Sequence, residues 1–315
     1  MRTSRLRGDE RSRLQRWMPR RVRRPLALIV VGSLCLAGGL QLGAASTTTT
    51  TATPASSSDP VIAGAGDIAS SGGKQKATAD VLSAINPAAV FTLGDAAYED
   101  GTLAQFQSYY EPSWGRFKAK TNPTPGNHEY HISGAAGYFS YFGSRAPAAY
   151  YAWNIGAWRF YSLNSEIAHD ASSAQIAWLK RDLAANPKAC VGAYWHKPLF
   201  SSGMHGNIAR QRPFWDALYA ANADLIVSGH DHSYERFAPQ NPSGQLDKGR
   251  GIREFVAGTG GGKPYAFATI RPNSEVRKTS VWGVLKLTLH ANSYDWKFES
   301  IAGQTFAESG TQACH

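Results

Sequence analysis

The chain has 315 residues, enough for one large domain or two ordinary ones, and a formal charge of +10. That charge is local: residues 1–24 hold ten arginines against Asp9 and Glu10, leaving 23 basic and 21 acidic side chains elsewhere. A nearly neutral body has no bulk electrostatic attraction to DNA or RNA, so no nucleic-acid partner is expected.

The Arg-rich start leads into the apolar run "PLALIVVGSLCLAGGLQLGAAS", which ends in the small residues Ala44, Ala45 and Ser46. Such a run followed by a small-residue cleavage site predicts a signal peptide over residues 1–46 and a secreted or extracytoplasmic protein. The alternative is a permanent anchor, because the run approaches the roughly 20 residues that span a bilayer. Its glycines and small residues suit an anchor poorly, so no stable membrane anchor is expected once the leader is cleaved. The export route stays open: "RRPLAL" matches a twin-arginine signal only loosely, and Leu34 before Cys35 is too bulky for a lipoprotein site. "STTTTTATPASSSDP" (Ser46 to Pro60) has no large apolar residue, so residues 47–59 are expected to be a solvated linker. Residues 60–315 form the candidate folded domain. Beyond the leader only Cys190 and Cys314 remain, an even pair in an oxidising compartment, and a Cys190–Cys314 disulfide is expected.

Within the domain, the short apolar runs "VIAGAG", "AVFTLG", "CVGAYW" and "DLIVSG" predict buried strands, with further strand-like segments in "YYAWNIGAWRFYSLN". Between them, "KATADVLSAI" sets Val81, Leu82 and Ile85 on one helical face, and "SSAQIAWLKRDLAA" does the same with Ile176, Leu179 and Leu183. "RPFWDALYAAN" opens with Pro213 in a first turn, where its missing N–H is harmless. The C-terminal part turns to β in "REFVAGTGGG" and in "WGVLKLTLHANSYDWKFES", where two alternating runs flank Asn292-Ser293. The order predicts an α/β sandwich with mixed sheets and helices outside. The run Gly260 to Gly262 lacks the spacing and lysine-serine ending of a phosphate loop, and is expected to be a flexible or turn-forming loop.

Ligand-type side chains recur at the predicted strand ends: Asp67 in "AGAGDIA", Asp95 and Tyr98 in "TLGDAAYEDG", Asn127 and His128 in "TPGNHEY", His196 in "AYWHKPLF", and His230 and His232 in "SGHDH". A lone Gly-Asp is ordinary turn chemistry, but five strand ends of an open α/β fold converge on one crevice. Seven donors (Asp67, Asp95, Tyr98, Asn127, His196, His230 and His232) exceed the three or four protein ligands of a single tetrahedral ion, whereas one carboxylate can bridge two cations. Asp231, between two histidines that straddle a turn, is expected to point away. His131, His169, His290 and His315 are expected to be packed or hydrogen-bonded.

These motifs resemble those of the calcineurin-like metallophosphoesterases, and among them the purple acid phosphatases. The family pattern stands here as Gly66-Asp67, Gly94-Asp95 with Tyr98, Gly126-Asn127-His128-Glu129, His196 and Gly229-His230-Asp231-His232. The resemblance implies a four-layer αββα sandwich of two mixed sheets, and two metal ions. One ion would be held by Asp67, Asp95, Tyr98 and His232, the other by Asp95, Asn127, His196 and His230. Many relatives carry D-x-H at the first motif; Ala69 stands there in this chain, so Tyr98 takes that place, and a phenolate suits Fe(III). The second ion would be Fe(II), Zn(II) or Mn(II). Plant-type enzymes add an N-terminal β-sandwich, whereas only the Thr/Ser segment precedes the domain here, a compact arrangement.

The implied activity is hydrolysis of small-molecule phosphate monoesters by metal-activated hydroxide, with His128 binding phosphate and His205 facing the substrate. A phosphodiesterase or nucleotide hydrolase of the same fold is the alternative, and a non-catalytic secreted binding module the remote one. Metallo-β-lactamase-type sites also use H-x-H but continue to D-H, where this chain has Ser233-Tyr234-Glu235.

Overall fold

The computed structural model describes residues 59–315; the expected leader, and the linker up to residue 58, lie outside them. The elements are β1 (Val61–Ala65), α1 (Gln75–Ile85), β2 (Ala89–Thr92), the single turn α2 (Leu103–Gln105), β3 (Thr121–Asn122), α3 (Ala136–Phe142), β4 (Tyr151–Ile155), β5 (Trp158–Ser162), α4 (Ala174–Ala185), β6 (Cys190–Trp195), α5 (Arg212–Ala220), β7 (Leu225–Ser228), β8 (Tyr234–Phe237), β9 (Arg253–Ala257), β10 (Ser274–Lys278), β11 (Gly283–Leu289), β12 (Ser293–Ser300) and β13 (Ala307–Ala313). A six-stranded sheet has the order β13-β12-β11-β1-β2-β3, and a seven-stranded sheet the order β10-β8-β9-β7-β6-β5-β4. Both are mixed. β1, β2 and β3 run parallel and β11 to β13 antiparallel, while β5, β6, β7 and β9 form the parallel part of the second sheet.

Side chains alternate across a strand, and here the alternation sorts residues into three apolar layers. Ile62, Phe91, Phe160, Tyr194, Leu225, Leu285, Trp296 and Phe298 fill the space between the sheets. Ala63, Ala65 and Val90, on the opposite face of the first sheet, pack with α1 and with the aromatics Phe106, Tyr110, Trp114, Tyr138 and Phe142. Tyr161, Ala193, Trp195 and Ile226 cover the outer face of the second sheet beneath Ile176, Leu179, Phe214 and Leu218 of α4 and α5. Helices outside two face-to-face sheets make the four-layer αββα sandwich. Ser173 caps α4 through the Ile176 N–H, and Pro213 sits in the first turn of α5. Cys190, opening β6, is bonded to Cys314, with a Cα–Cα separation of 5.5 Å.

Of the two expectations for Gly260 to Gly262, the turn-forming one describes the segment: it bends and is buried, and the Gly260 and Gly262 N–H groups donate to Gly66 O and Asp67 O, each at 2.8 Å. The segment packs beneath Asp67, and only glycine fits so close to that backbone: a Cβ on Gly260 would stand 2.6 Å from Gly66 O. Among the described residues, no helix is long and apolar enough to cross a membrane.

Candidate metal centre

The carboxyl ends of β1, β2, β3, β6 and β7 open on one crevice, joined across the two sheets by the Gly66 N–H donating to Ala257 O at 2.9 Å. Four of the five candidate ligand motifs (those of Asp67, Asp95, Asn127 and His230) follow a glycine because the crossing chains leave no room for a side chain there. A Cβ at Gly126 would fall 2.2 Å from Asp95 Oδ1, and one at Gly229 would fall 2.7 Å from Asp67 Oδ2. Asp67, Asp95 and His230 have left-handed φ values of 61°, 48° and 71°, which turn their side chains sharply off the strand axes. Such backbone costs on the order of 1–3 kcal/mol per residue and persists where neighbours fix it. Here Asp67 Oδ2 accepts the His230 N–H and Asp95 Oδ1 accepts the His128 N–H, both at 2.9 Å.

Two groups of donor atoms result. In the first, the Tyr98 hydroxyl lies 3.0 Å from Asp67 Oδ1 and 2.9 Å from His232 Nε2, and the latter two are 3.2 Å apart. In the second, His196 Nε2 lies 3.1 Å from Asn127 Oδ1, 3.1 Å from His230 Nδ1 and 3.2 Å from Asp95 Oδ2. All seven candidate ligands are thus brought to this end of the sandwich. The outer nitrogens of two imidazoles are tied down: His232 Nδ1–H donates to Lys263 O and His196 Nδ1–H to Leu93 O, each at 2.7 Å. A carbonyl can only accept, so Nδ1 carries a proton in both rings and Nε2 faces inward, where loss of its proton leaves the lone pair a metal ligand requires.

The electrostatics are those of donors crowded together. Burial opposes ionisation of Asp95, but His196 and then His128 override it and hold the carboxyl below the usual carboxylate range. Burial works against protonating His196, yet Asp95 holds it up at about 10. Burial, with His196 and His205 beside it, drives His230 far below the usual imidazole range. Burial and then Asp67 and Asp95 push the Tyr98 phenol well above its ordinary value. Buried carboxylate, imidazole, amide and phenol groups with converging lone pairs are a donor set that multivalent cations fit.

His128 sits at the mouth, its Nε2 3.7 Å from Asp95 Oδ2 and its side chain 23% exposed, with Nδ1 against Glu99 O. The exposed His205 ring stacks on His230 at 4.2 Å. His131 pairs with Asp100, His290 with Asp59 and Asp295, and His315 with Asp224, while His169 is buried against Phe214, as expected for structural histidines.

The sequence assigns no role to two contributors: Glu129, which enters only as part of its motif, and Tyr265. Glu129 is fully buried and accepts the N–H groups of Asp95 at 2.9 Å, Ala96 at 2.8 Å and Gly126 at 2.7 Å, so it ties two ligand turns together. Burial and then Asp95 push its carboxyl up to about 7, against the pull of the Gly126 N–H. The signal for it was a carboxylate immediately after His128. Tyr265 stacks face to face on His232 at 4.0 Å, and nothing in its local spacing marks it.

The family model for the calcineurin-like phosphoesterases matches residues 60–234. Purple acid phosphatase 15 of Arabidopsis thaliana is 29% identical over 202 residues, which cover 50% of this chain and 38% of that protein. The chain therefore spans well under two thirds of that relative. Among solved structures, the purple acid phosphatase isolated from yellow lupin (Lupinus luteus) seeds superposes with a TM-score of 0.66 at 19% identity, covering 82% of this chain and 54% of that one. GAP50, the anchor in the inner membrane complex of Plasmodium, superposes at 0.64 and 14% identity, covering 82% and 90%. The matched segment is more than half of the chain and contains every turn that delivers a candidate metal ligand; the chain belongs to the calcineurin-like phosphoesterase family.

Proposed function

We propose that this chain is an exported, metal-dependent phosphomonoesterase of the purple acid phosphatase kind. The fold does not choose the activity, since an anchor protein shares it. What carries the reading is the convergence of both donor groups, with the inward Nε2 atoms of His196 and His232 held by carbonyls behind them. Asp67, Asp95, Tyr98 and His232 would hold one ion, Fe(III). Asp95, Asn127, His196 and His230 would hold Fe(II), Zn(II) or Mn(II), with Asp95 shared. When bound, two such cations supply Lewis acidity that neutralises phosphoryl charge and makes water a competent nucleophile near neutral pH or below.

The chain's own residues do the rest. Asn127 orients a phosphoryl oxygen through its amide. His128, partly exposed beside Asp95, donates a hydrogen bond to the phosphoryl group and a proton to the departing alkoxide. His205, over His230, binds the phosphate from the other side. Held donors of this kind act mainly by positioning and charge stabilisation.

The test compares p-nitrophenyl phosphate with bis-p-nitrophenyl phosphate as substrates of the purified, iron- and zinc-reconstituted protein. A strong monoester preference, abolished by chelation and restored by metal, is the expected result. A diester preference would move the protein to the phosphodiesterases, and metal uptake without hydrolysis of either ester would end the enzymatic reading. Loss of a visible phenolate-to-iron absorption band in Tyr98→Phe, with half of the metal retained, is expected if Tyr98 ligates iron.

A further inference from the structure

Asp231 stands between two candidate ligands, yet its carboxylate points away from them and is fully buried. Its Oδ2 accepts the Ser201 hydroxyl at 2.5 Å and its Oδ1 accepts the His205 backbone N–H at 2.9 Å. The loop between these residues closes around the carboxylate. The Gly203 N–H donates to Ser201 Oγ at 3.0 Å, and a Cβ on Gly203 would stand 2.2 Å from Asp231 Cγ, so only glycine completes the turn. Glu235, four residues further along, accepts the Ser202 N–H at 2.8 Å. A second loop locks the same segment from outside: the Ala268 N–H donates to Ser202 O at 2.9 Å, and the Arg271 N–H to Ser202 Oγ at 2.9 Å. The exposed imidazole of His205 emerges from this scaffold and lies flat on the ring of His230.

We propose that Asp231 is a positioning residue that holds His205 over the metal centre. One short segment, His230-Asp231-His232, thereby does two things: its histidines face the metal site, and the carboxylate between them fixes the loop that presents the phosphate-binding imidazole. The proposal rests on the phosphoesterase reading for the role of His205, but not for its placement. An exposed histidine flanked by Gly203 and Gly206 has much backbone freedom to lose, roughly 1–2 kcal/mol per ordered residue. Hydrogen bonds to a buried carboxylate are about twice as strong as neutral ones, and they fix the loop before substrate arrives.

The experiment uses the full chain as wild type, D231A, D231N, H205A and the double variant D231A/H205A. Three quantities are read: amide hydrogen exchange across residues 201–206, bound metal, and kcat and KM for p-nitrophenyl phosphate. In D231A, exchange at the His205 amide should rise at least tenfold while metal content stays at the wild-type level. H205A should lower kcat about tenfold to a hundredfold, the worth of a hydrogen bond to a charged group. D231A should lower kcat by a comparable factor, and the double variant should be no slower than H205A alone. D231N keeps one acceptor oxygen and should fall between wild type and D231A in both exchange and kcat. Unchanged exchange in D231A, loss of metal from it, or multiplied losses in the double variant would each overturn the proposal. If D231A fails to fold, D231N and D231N/H205A make the same comparison. If the wild type hydrolyses no phosphate ester, the phosphatase reading falls, and the exchange measurement still decides whether Asp231 holds the loop.

Discussion

β6 and β7 carry a cluster of ligand-type residues at each end, and the two clusters behave oppositely. At the amino ends, Cys190, Asp224 and Cys314 lie close enough to suggest a metal site, as do Asp95, His196 and His230 at the carboxyl ends. At the first, every ligand atom is already committed. The two sulfurs are bonded to each other, and Asp224 accepts the Val191 N–H and the His315 N–H, each at 2.8 Å. At the second, nitrogens and oxygens face one another at 3.1–3.2 Å, with His196 Nδ1 and Asp95 Oδ1 tied down behind them. Closeness of His, Cys and Asp is thus no criterion by itself. What separates a latch from a candidate catalytic centre is whether lone pairs are used up or left converging.

The sharpest way to break this contrast is at Asp95, the carboxylate assigned to both ions. Asp95→Asn should lower kcat on the order of a thousandfold, comparable to losing a principal charge-stabilising group, and should release metal. Its thermal midpoint should fall as well, because His196 loses the carboxylate that holds its proton and becomes the unpaired half of a buried ion pair. Metal analysis beside a melting curve checks both halves; a large loss of stability with metal retained would make Asp95 structural. A smaller effect is expected one step back. Glu129→Gln removes the charge that gathers the Asp95, Ala96 and Gly126 N–H groups, and outer partners of this kind are worth about 10–100-fold in metal affinity or activity.

At the latch stability alone should change. Reducing the Cys190–Cys314 bond, which spans 124 residues, should destabilise the fold by about 5 kcal/mol in the chain-entropy account. Rates on p-nitrophenyl phosphate below the melting temperature should be unaltered. A matched fall in activity at low temperature would mean that the two ends of β6 are coupled.

The same contrast explains what could be read in advance. Asp67, Asp95, His196, His230 and His232 were legible because each follows a short apolar run, and Asn127 because it stands in Gly-Asn-His, with a glycine before four of the motifs where the chains cross. The strands buried on both faces were legible for the same reason: "VIAGA", "AVFT" and "LIVS" are apolar apart from the closing Thr92 and Ser228. β13 was not, because "AESGTQA" is an edge strand made by pairing with β12, with residues alternately exposed and half-exposed. The helical turns from Leu103 to Phe142 were missed because their aromatics pack against each other and the first sheet across large sequence separations. Tyr265 and the loop held by Asp231 lie beyond local pattern too, since each meets its partner only through the tertiary fold.

The smallest expected effect is a pH dependence at the latch. The His315 imidazole lies 3.0 Å from Asp224 Oδ1, and that hydrogen bond raises its pKa above the usual value of 6.5, against partial burial. A group whose folded pKa is raised binds its proton more tightly in the native state, so its stabilisation is complete below the unfolded value and is lost as pH rises through the folded one. The melting temperature should therefore decline as pH rises from about 6 through that raised value, and His315→Gln should flatten this part of the profile. Because the exposed imidazole of His290, paired with Asp59 and Asp295, is also shifted upward, the slope left in His315→Gln should shrink further when His290→Gln is added. If the single variant keeps the full slope, the His315 imidazole contributes nothing, and the latch is held by its disulfide and by the backbone N–H groups that Asp224 accepts.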